Sequence, residues 1–229
     1  MKIDLAQYLK ERYLERNAPE NNPGPVITIA REVGCPGKKV AQKLEDKLNR
    51  IMVSKGLPEN WKWIGKEIFD KAAAELDLAP KNVEEIFKHK RGLIDEILSS
   101  QSRKYYKNDT HIRKTIGQII RSIANDGHAI ILGRGGIAIT RDIPHSFHIY
   151  LEAPLEWRAA RVSERCGYTL DEAKRYALEI DKRRLQYREY FRGKKNDYTS
   201  YDIKLNCMTL NIDELTDIII KSIEVRKLI

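Results

Sequence analysis

Acidic residues are the scarce charge in this 229-residue chain: 33 Asp and Glu face 42 Lys and Arg, leaving a formal net charge of +9. That deficit excludes an acidic surface and favours anionic partners such as nucleotides, nucleic acid or an acidic membrane face. Cysteine is scarce as well. Cys35, Cys166 and Cys207 are odd in number and widely separated, which excludes a disulfide framework and fits a reducing cytosol. His89, His111, His128, His145 and His148 have no carboxylate or cysteine at metal-ligand spacing, so no protein-held metal is expected. No Ser/His/Asp or Cys/His signature stands out. No apolar run approaches a membrane span, and Met1–Asp4 lacks the apolar region of a signal peptide, so a cytoplasmic protein without a membrane partner is expected. Aromatics are only 8% of the chain; Trp61, Trp63 and Trp157 are assigned to core or interface rather than to a base-stacking platform. Repeats and low-complexity segments are lacking too.

What is present is enough apolar residue, 41%, for a sizeable core. Periodicity predicts a helix over 4–16, a loop over 17–25 and a strand over 26–30. A helix follows over 38–55, carrying Val40, Ala41, Leu44, Leu48, Ile51 and Met52 at helical spacing, and a short strand over 61–64. Helices are predicted over 66–76, 82–87 and 91–100, a polar loop over 102–109 and a helix over 112–125. The remaining elements are strands at 129–132, 147–151 and 203–205, and helices at 155–166, 170–191 and 212–225. Strands alternating with helices imply βαβ units and a parallel sheet covered on both faces.

Three segments point to phosphate chemistry. The first is a β-branched run feeding Gly34, Gly37 and Lys38 and then a helix, which is the layout of a phosphate-binding loop. It departs from G-x-x-x-x-G-K-[ST], since Glu32 stands at the first glycine and Lys39 at the hydroxyl that would meet magnesium. An ordinary strand-turn-helix with surface lysines fits this segment equally well. The second is Gly133-Arg134-Gly135-Gly136 at the carboxyl end of a buried strand, where ligands of open α/β sheets sit; Arg134 can clamp a phosphate there, or simply be a solvated arginine in a turn. The third is the stretch 158–195, with twelve basic residues against six acidic ones. Arg158, Arg161 and Arg165 share a helix face, and Asp181 and Arg184 lie one turn apart. Positioned positive charge of this kind serves a transferring phosphoryl group; a solvated charged hairpin is the alternative.

The order of these pieces resembles the cytidylate kinase-like family of P-loop proteins over roughly residues 25–225. The resemblance is carried by ITIAREVGCPGKKVAQKL at 27–44, WIGKEIFDKAAAEL at 63–76, AIILGRGGIAI at 129–139, FHIYLEAPLEWRAARVSER at 147–165, DKRR at 181–184 and YDIKLNCMTLNIDELTDII at 201–219. It implies a three-layer α/β/α P-loop kinase fold with a parallel sheet and a helical lid. The whole chain, 1–229, is then one domain: core at about 25–65, 111–155 and 200–229, an acceptor-binding helical region at about 66–110, and an arginine lid at about 156–192. By position, Arg31, Gly34, Gly37, Lys38 and Lys39 bind nucleotide, and Gly133, Arg134 and Arg158 meet the acceptor. Lys38, Arg161, Arg165, Asp181 and Arg184 form the catalytic set. Two positions depart from the family. An ungapped match puts Gly37 at the loop lysine, with Arg31 a candidate for the missing charge, and Gly135 stands where cytidylate kinases have the aspartate of G-R-D.

The expected function is that of an ATP-dependent nucleotide kinase acting on a nucleoside monophosphate or related acceptor, with Mg²⁺ bound through the phosphates. Its partners would be small-molecule nucleotides, and a homo-oligomer is left open. A nucleotide-binding regulator without catalysis is the alternative that the loop departures favour. A nucleic-acid-binding protein using the basic hairpin ranks last, because few aromatics interleave with its charges.

Overall fold

The computed structural model describes residues 24–58, 61–75, 103–192 and 201–229. The helices expected at 4–16, 82–87 and 91–100, and most of the loop at 17–25, lie outside these residues. Five strands form one parallel sheet: β1 (Val26–Arg31), β2 (Lys62–Ile64), β3 (Ala129–Leu132), β4 (Ser146–Glu152) and β5 (Ile203–Asn206), in the spatial order β2-β3-β1-β4-β5. Helices α1 (Gly37–Ser54), α2 (Glu67–Glu75), α3 (Arg103–Asp126), α4 (Gly136–Thr140), α5 (Leu155–Cys166), α6 (Leu170–Arg192) and α7 (Ile212–Val225) connect and cover them.

The period of two along each strand decides the layers. Ile27, Ile29, Ile130, Leu132, Phe147, Ile149 and Leu151 turn to one face and pack with Val40, Leu44 and Leu48 of α1 and Leu215, Ile219 and Ile223 of α7. Val26, Ala129 and Ile131 turn to the other and meet Ile68 of α2 and Ile112, Ile116 and Ile120 of α3. Both faces are therefore dry, which is why the central strands read as continuous apolar runs. The result is a three-layer α/β/α sandwich, as the sequence predicted.

Two expectations change. Residues 103–109 are the first turns of α3, not a loop: Arg and Lys are good helix formers and no Gly or Pro interrupts the stretch, so polarity alone was a poor guide. The short helix α4, which starts at Gly136 directly after the turn Gly133–Gly135, carries too little periodicity to be read from sequence. Elsewhere local chemistry holds the ends. Asn211 caps α7 in a reciprocal box with Glu214. Gly167, left-handed at φ 71°, ends α5, and Thr169 with Glu172 opens α6. Among the described residues no helix is long and apolar enough to cross a membrane.

One polar contact lies inside the sheet. Thr28 and His148 are register partners on β1 and β4. Thr28 Oγ1 lies 2.7 Å from His148 Nδ1, and Ser146 Oγ lies 3.1 Å from Nε2. Burial, opposed by Asp202, lowers the His148 pKa to about 4. The folded state therefore binds this proton less well than the unfolded chain, and stability falls as pH drops from about 6.5 towards 4. Replacing His148 with Gln is expected to remove this dependence, on the order of 3 kcal/mol across the window, measured by urea unfolding at pH 7, 5.5 and 4.5.

Candidate functional site

All five strands are parallel, so the segments leaving their carboxyl ends gather along one edge of the sheet. The chain leaves β1 towards β2 and β3 on one side and later crosses to β4 on the other. The crevice beyond β1 is thus the topological switch point, where ligands of open α/β sheets bind.

The glycine loop 32–37 occupies that point. Gly34 has φ 94°, and a Cβ there would stand 2.8–2.9 Å from the backbone of Arg158. Only glycine lets the loop lie this close to α5. The Gly37 amide donates to the Cys35 carbonyl at 2.9 Å, and Gly37 opens α1. The amides of Lys38 and Lys39 follow in the first turn, where an α-helix has no internal acceptors. The Lys38 and Lys39 side chains are exposed. Lys38 turns outward, its Nζ 5.7 Å from the Trp63 ring centre. The inward position belongs instead to Arg31: its stem lies 3.2–3.3 Å from where a Gly37 Cβ would be, and its guanidinium reaches Gly133.

A buried ion network holds the loop to the helical hairpin α5–α6. Arg158, only 6% exposed as a side chain, donates from Nη1 to Asp181 Oδ2 at 2.8 Å and to the Val33 carbonyl at 3.2 Å. Its Nε donates to the Ala153 carbonyl at 2.8 Å and sits 3.1 Å from Glu32 Oε2. Asp181 Oδ1 accepts the Val33 amide at 2.8 Å, and Glu32 accepts the Ala153 amide at 3.1 Å. Arg161 Nε donates to the Gly34 carbonyl at 3.2 Å while stacking over Trp157. Arg184 Nη1 donates to the Arg31 carbonyl at 3.0 Å and lies 3.7 Å from Asp181. Arg165 stands exposed in the last turn of α5. Of the basic helix face expected at 158, 161 and 165, the first arginine is thus a buried strut, the second touches the loop and the third faces solvent.

Beside the loop lies a cavity of about 270 Å³, lined by Arg31, Arg134, Arg183, Arg184 and Arg188 with Tyr187 and the glycines 133–136. Among the described residues, no Asp or Glu lines it. Gly133, Arg134 and Gly135 are all left-handed, with φ between 56° and 75°, a sharp turn that brings Arg134 to this cavity. Burial, with Arg184 and Arg134 as like-charged neighbours, pulls the Arg31 pKa down to about 9, against the pull of Asp181. Burial lowers Arg184 as well. Guanidinium groups crowded together in this way make a site that would gain from an anion.

The lining includes Arg183, Tyr187 and Arg188, which sequence reasoning left out. Their three- and four-residue spacing from Arg184 and Ile180 along α6 was the available signal. Glu32, singled out in sequence only as a defect of the glycine pattern, proves to be the counter-ion of Arg158. The residues fit phosphate groups. They do not fit a magnesium ion held by the protein: Lys39 offers no hydroxyl, Glu32 and Asp181 are committed to Arg158, and no cluster of three metal-binding side chains occurs among the described residues.

The sequence model of the Cytidylate kinase-like family matches residues 26–209. A cytidylate kinase of Methanopyrus kandleri is 31% identical over 113 residues, which span 45% of this chain and 58% of that protein. Little more than half of that curated relative is therefore matched. Among solved structures, an uncharacterized protein from Eubacterium ventriosum superposes with a TM-score of 0.59 at 24% identity, over 88% of this chain and 98% of that one. A shikimate kinase from Bacteroides thetaiotaomicron gives a TM-score of 0.49 at 11% identity, over 87% and 98%.

Arg158→Met is expected to destabilise the protein by about 3–5 kcal/mol, because Glu32 and Asp181 are left as half-buried carboxylates without their partner. Arg165→Met should stay within about 0.5 kcal/mol. Chemical denaturation of both variants checks the contrast; equal effects would mean that Arg158 is no strut.

Proposed function

We propose that this chain, which belongs to the cytidylate kinase-like family, is an ATP-dependent phosphotransferase that moves a phosphoryl group to a nucleoside monophosphate or a related phosphorylated acceptor. The observation that carries this reading is the cavity at the carboxyl end of β1, lined by five arginines and, among the described residues, by no Asp or Glu. Phosphoryl transfer asks little covalent chemistry of a protein; it asks for alignment and neutralisation of charge on the phosphoryl oxygens.

Each residue then has a role. Arg31, Arg134 and Arg184 hold the acceptor's phosphate. The loop amides and the first turn of α1 hold the donor phosphates, and Lys38 rotates from Trp63 to reach them on its long stem. Arg161 follows the hairpin and covers the loop from above Gly34. Asp181 keeps hairpin and loop in register through the Val33 amide. Magnesium supplies charge neutralisation as part of the metal–nucleotide complex and is carried by the phosphates, not by protein ligands.

A second reading, a nucleotide-binding regulator without transfer, is favoured by Lys38 lying over Trp63 and by the lysine at the hydroxyl position. An assay of ADP release across CMP, dCMP, UMP, AMP and non-nucleotide acceptors separates the two. Turnover with at least one acceptor is expected, with Arg184→Met lowering kcat/KM roughly a hundredfold or more. Saturable ATP binding with no turnover on any acceptor supports the regulator.

Arg31 provides a check that needs no turnover. Its pKa is lowered to about 9, so at neutral pH the folded state carries a protonated guanidinium that it holds less well than the unfolded chain does. The destabilisation is full below about pH 9 and is relieved only above it. Arg31→Met, which keeps the stem against Gly37, is expected to raise Tm in anion-free buffer and to abolish the further rise that phosphate gives the parent protein. A phosphate-induced shift that survives the substitution would remove Arg31 from the anion site.

A further inference from the structure

Thr28 carries the hydroxyl in the otherwise apolar first five residues of β1, and it is only 2% exposed. Its register partners are Ile131 on β3 and His148 on β4, so the three side chains form a row on one face of the sheet. Helix α4 lies directly on that row: a Cβ at Gly136 would stand 3.0 Å from the Ile131 side chain and 3.4 Å from the Thr28 methyl group. Thr28 also lines the arginine cavity, with Ala30, Gly136 and Ile137 beside it. It precedes Arg31 by three residues, which at the rise of a strand is about 10 Å further into the sheet. The cavity thus runs from arginines at the carboxyl edge inward to Thr28.

A chain of hydrogen bonds fixes where the Thr28 proton points. The Ser146 hydroxyl donates to the Ile143 carbonyl at 2.7 Å. A hydroxyl has one proton, so towards His148 Nε2, 3.1 Å away, the Ser146 oxygen accepts. Nε2 therefore carries hydrogen. Burial, against the pull of Asp202, lowers the His148 pKa to about 4, and the neutral imidazole present at pH 7 has a single N–H. Nδ1 is then a bare lone pair, and Thr28 Oγ1, 2.7 Å away, donates to it. The Thr28 oxygen keeps its lone pairs and has no proton left to give.

We propose that Thr28 is a specificity residue of the cavity, held by His148 as a hydrogen-bond acceptor, and that the cavity selects ligands carrying an N–H or O–H at the end remote from the phosphate. The arginines of the lining can only donate; Thr28 adds the opposite polarity at the inner end. An amine or hydroxyl turned to Thr28 gains a partner, whereas a carbonyl or ether oxygen meets another lone pair and loses its water without replacement. His148 acts through Thr28 and is a positioning residue, with its tautomer set by Ser146. The order of donation rests on the strand network alone; its consequence for ligands rests on the reading of this cavity as the acceptor site.

Two measurements on the full-length protein at pH 7 test the proposal. Nitrogen-15 NMR of the ligand-free chain, with His148 assigned by the signal that His148→Gln removes, is expected to show hydrogen on Nε2 and a bare Nδ1. Hydrogen on Nδ1 overturns the proposal. Calorimetry then compares inorganic phosphate with CMP, dCMP, UMP and AMP. Thr28→Val should leave phosphate affinity within about twofold and weaken the tightest-binding nucleotide roughly tenfold, and Thr28→Ser should keep that nucleotide within about threefold of the parent. Should Thr28→Val fail to fold, Thr28→Cys, whose sulfur is a weak acceptor, carries the same comparison. A merely structural Thr28 predicts no selective loss: equal weakening of phosphate and nucleotide, or an unchanged nucleotide, overturns the proposal while leaving the phosphotransferase reading intact. Phosphate binding without binding of any nucleotide overturns it too. A parent chain that binds neither phosphate nor nucleotide overturns both.

Discussion

The buried guanidinium of Arg158 is the constraint on which the site depends. It is the point where three separate parts of the chain meet: Glu32 and Val33 leaving β1, Ala153 leaving β4, and Asp181 on α6. A charged group this far from water persists only when its donors are met by carboxylates and carbonyls. Here both carboxylates also accept backbone amides, Asp181 from Val33 and Glu32 from Ala153. The network therefore fixes the course of the glycine loop as well as the seat of the hairpin. The close approach of Gly34 to the α5 backbone belongs to the same arrangement.

With the hairpin seated, α6 lays a row of basic residues along the mouth of β1. Arg183, Arg184, Tyr187 and Arg188 come from α6, while Arg31 and Arg134 come from the sheet edge. Charge is distributed unevenly across this short distance. Among the described residues, Glu32 and Asp181 are committed to the strut around Arg158, while five arginines line the cavity beside it. Burial and like-charged neighbours, which lower the Arg31 pKa, are a local cost that an anion in the cavity would offset. The strut stabilises the fold and the cavity strains it, a division common where a binding site is built into a stable scaffold.

Much of the fold was legible in the residues. The runs at 26–31 and 129–132 announce strands buried on both faces, and the isoleucines of α3 announce its inner face. The polar first turns of α3 and the five-residue α4 escaped, the one because polarity mimics a loop and the other because so short a helix has no period to read. At the site, the glycine loop, Gly133–Gly135 and Arg184 were visible as motifs. Arg183, Tyr187 and Arg188 were not, since a basic helix shows its charges in sequence without showing which of them turn to a cavity.

By itself the sequence determined the layers, because strand and helix periods are local and each apolar face must find cover. It also placed glycine turns at the carboxyl ends of β1 and β3, where the structure has Gly34, Gly133 and Gly135 in the left-handed region. The tertiary structure decided the roles. Arg158 and Arg161 are three residues apart on one helix, yet one is a buried strut and the other touches the loop. Glu32 is a counter-ion, and Arg31 takes the inward place beside Gly37. Charge acts through space over a few ångströms, and which groups stand that close is set by the packing of distant segments.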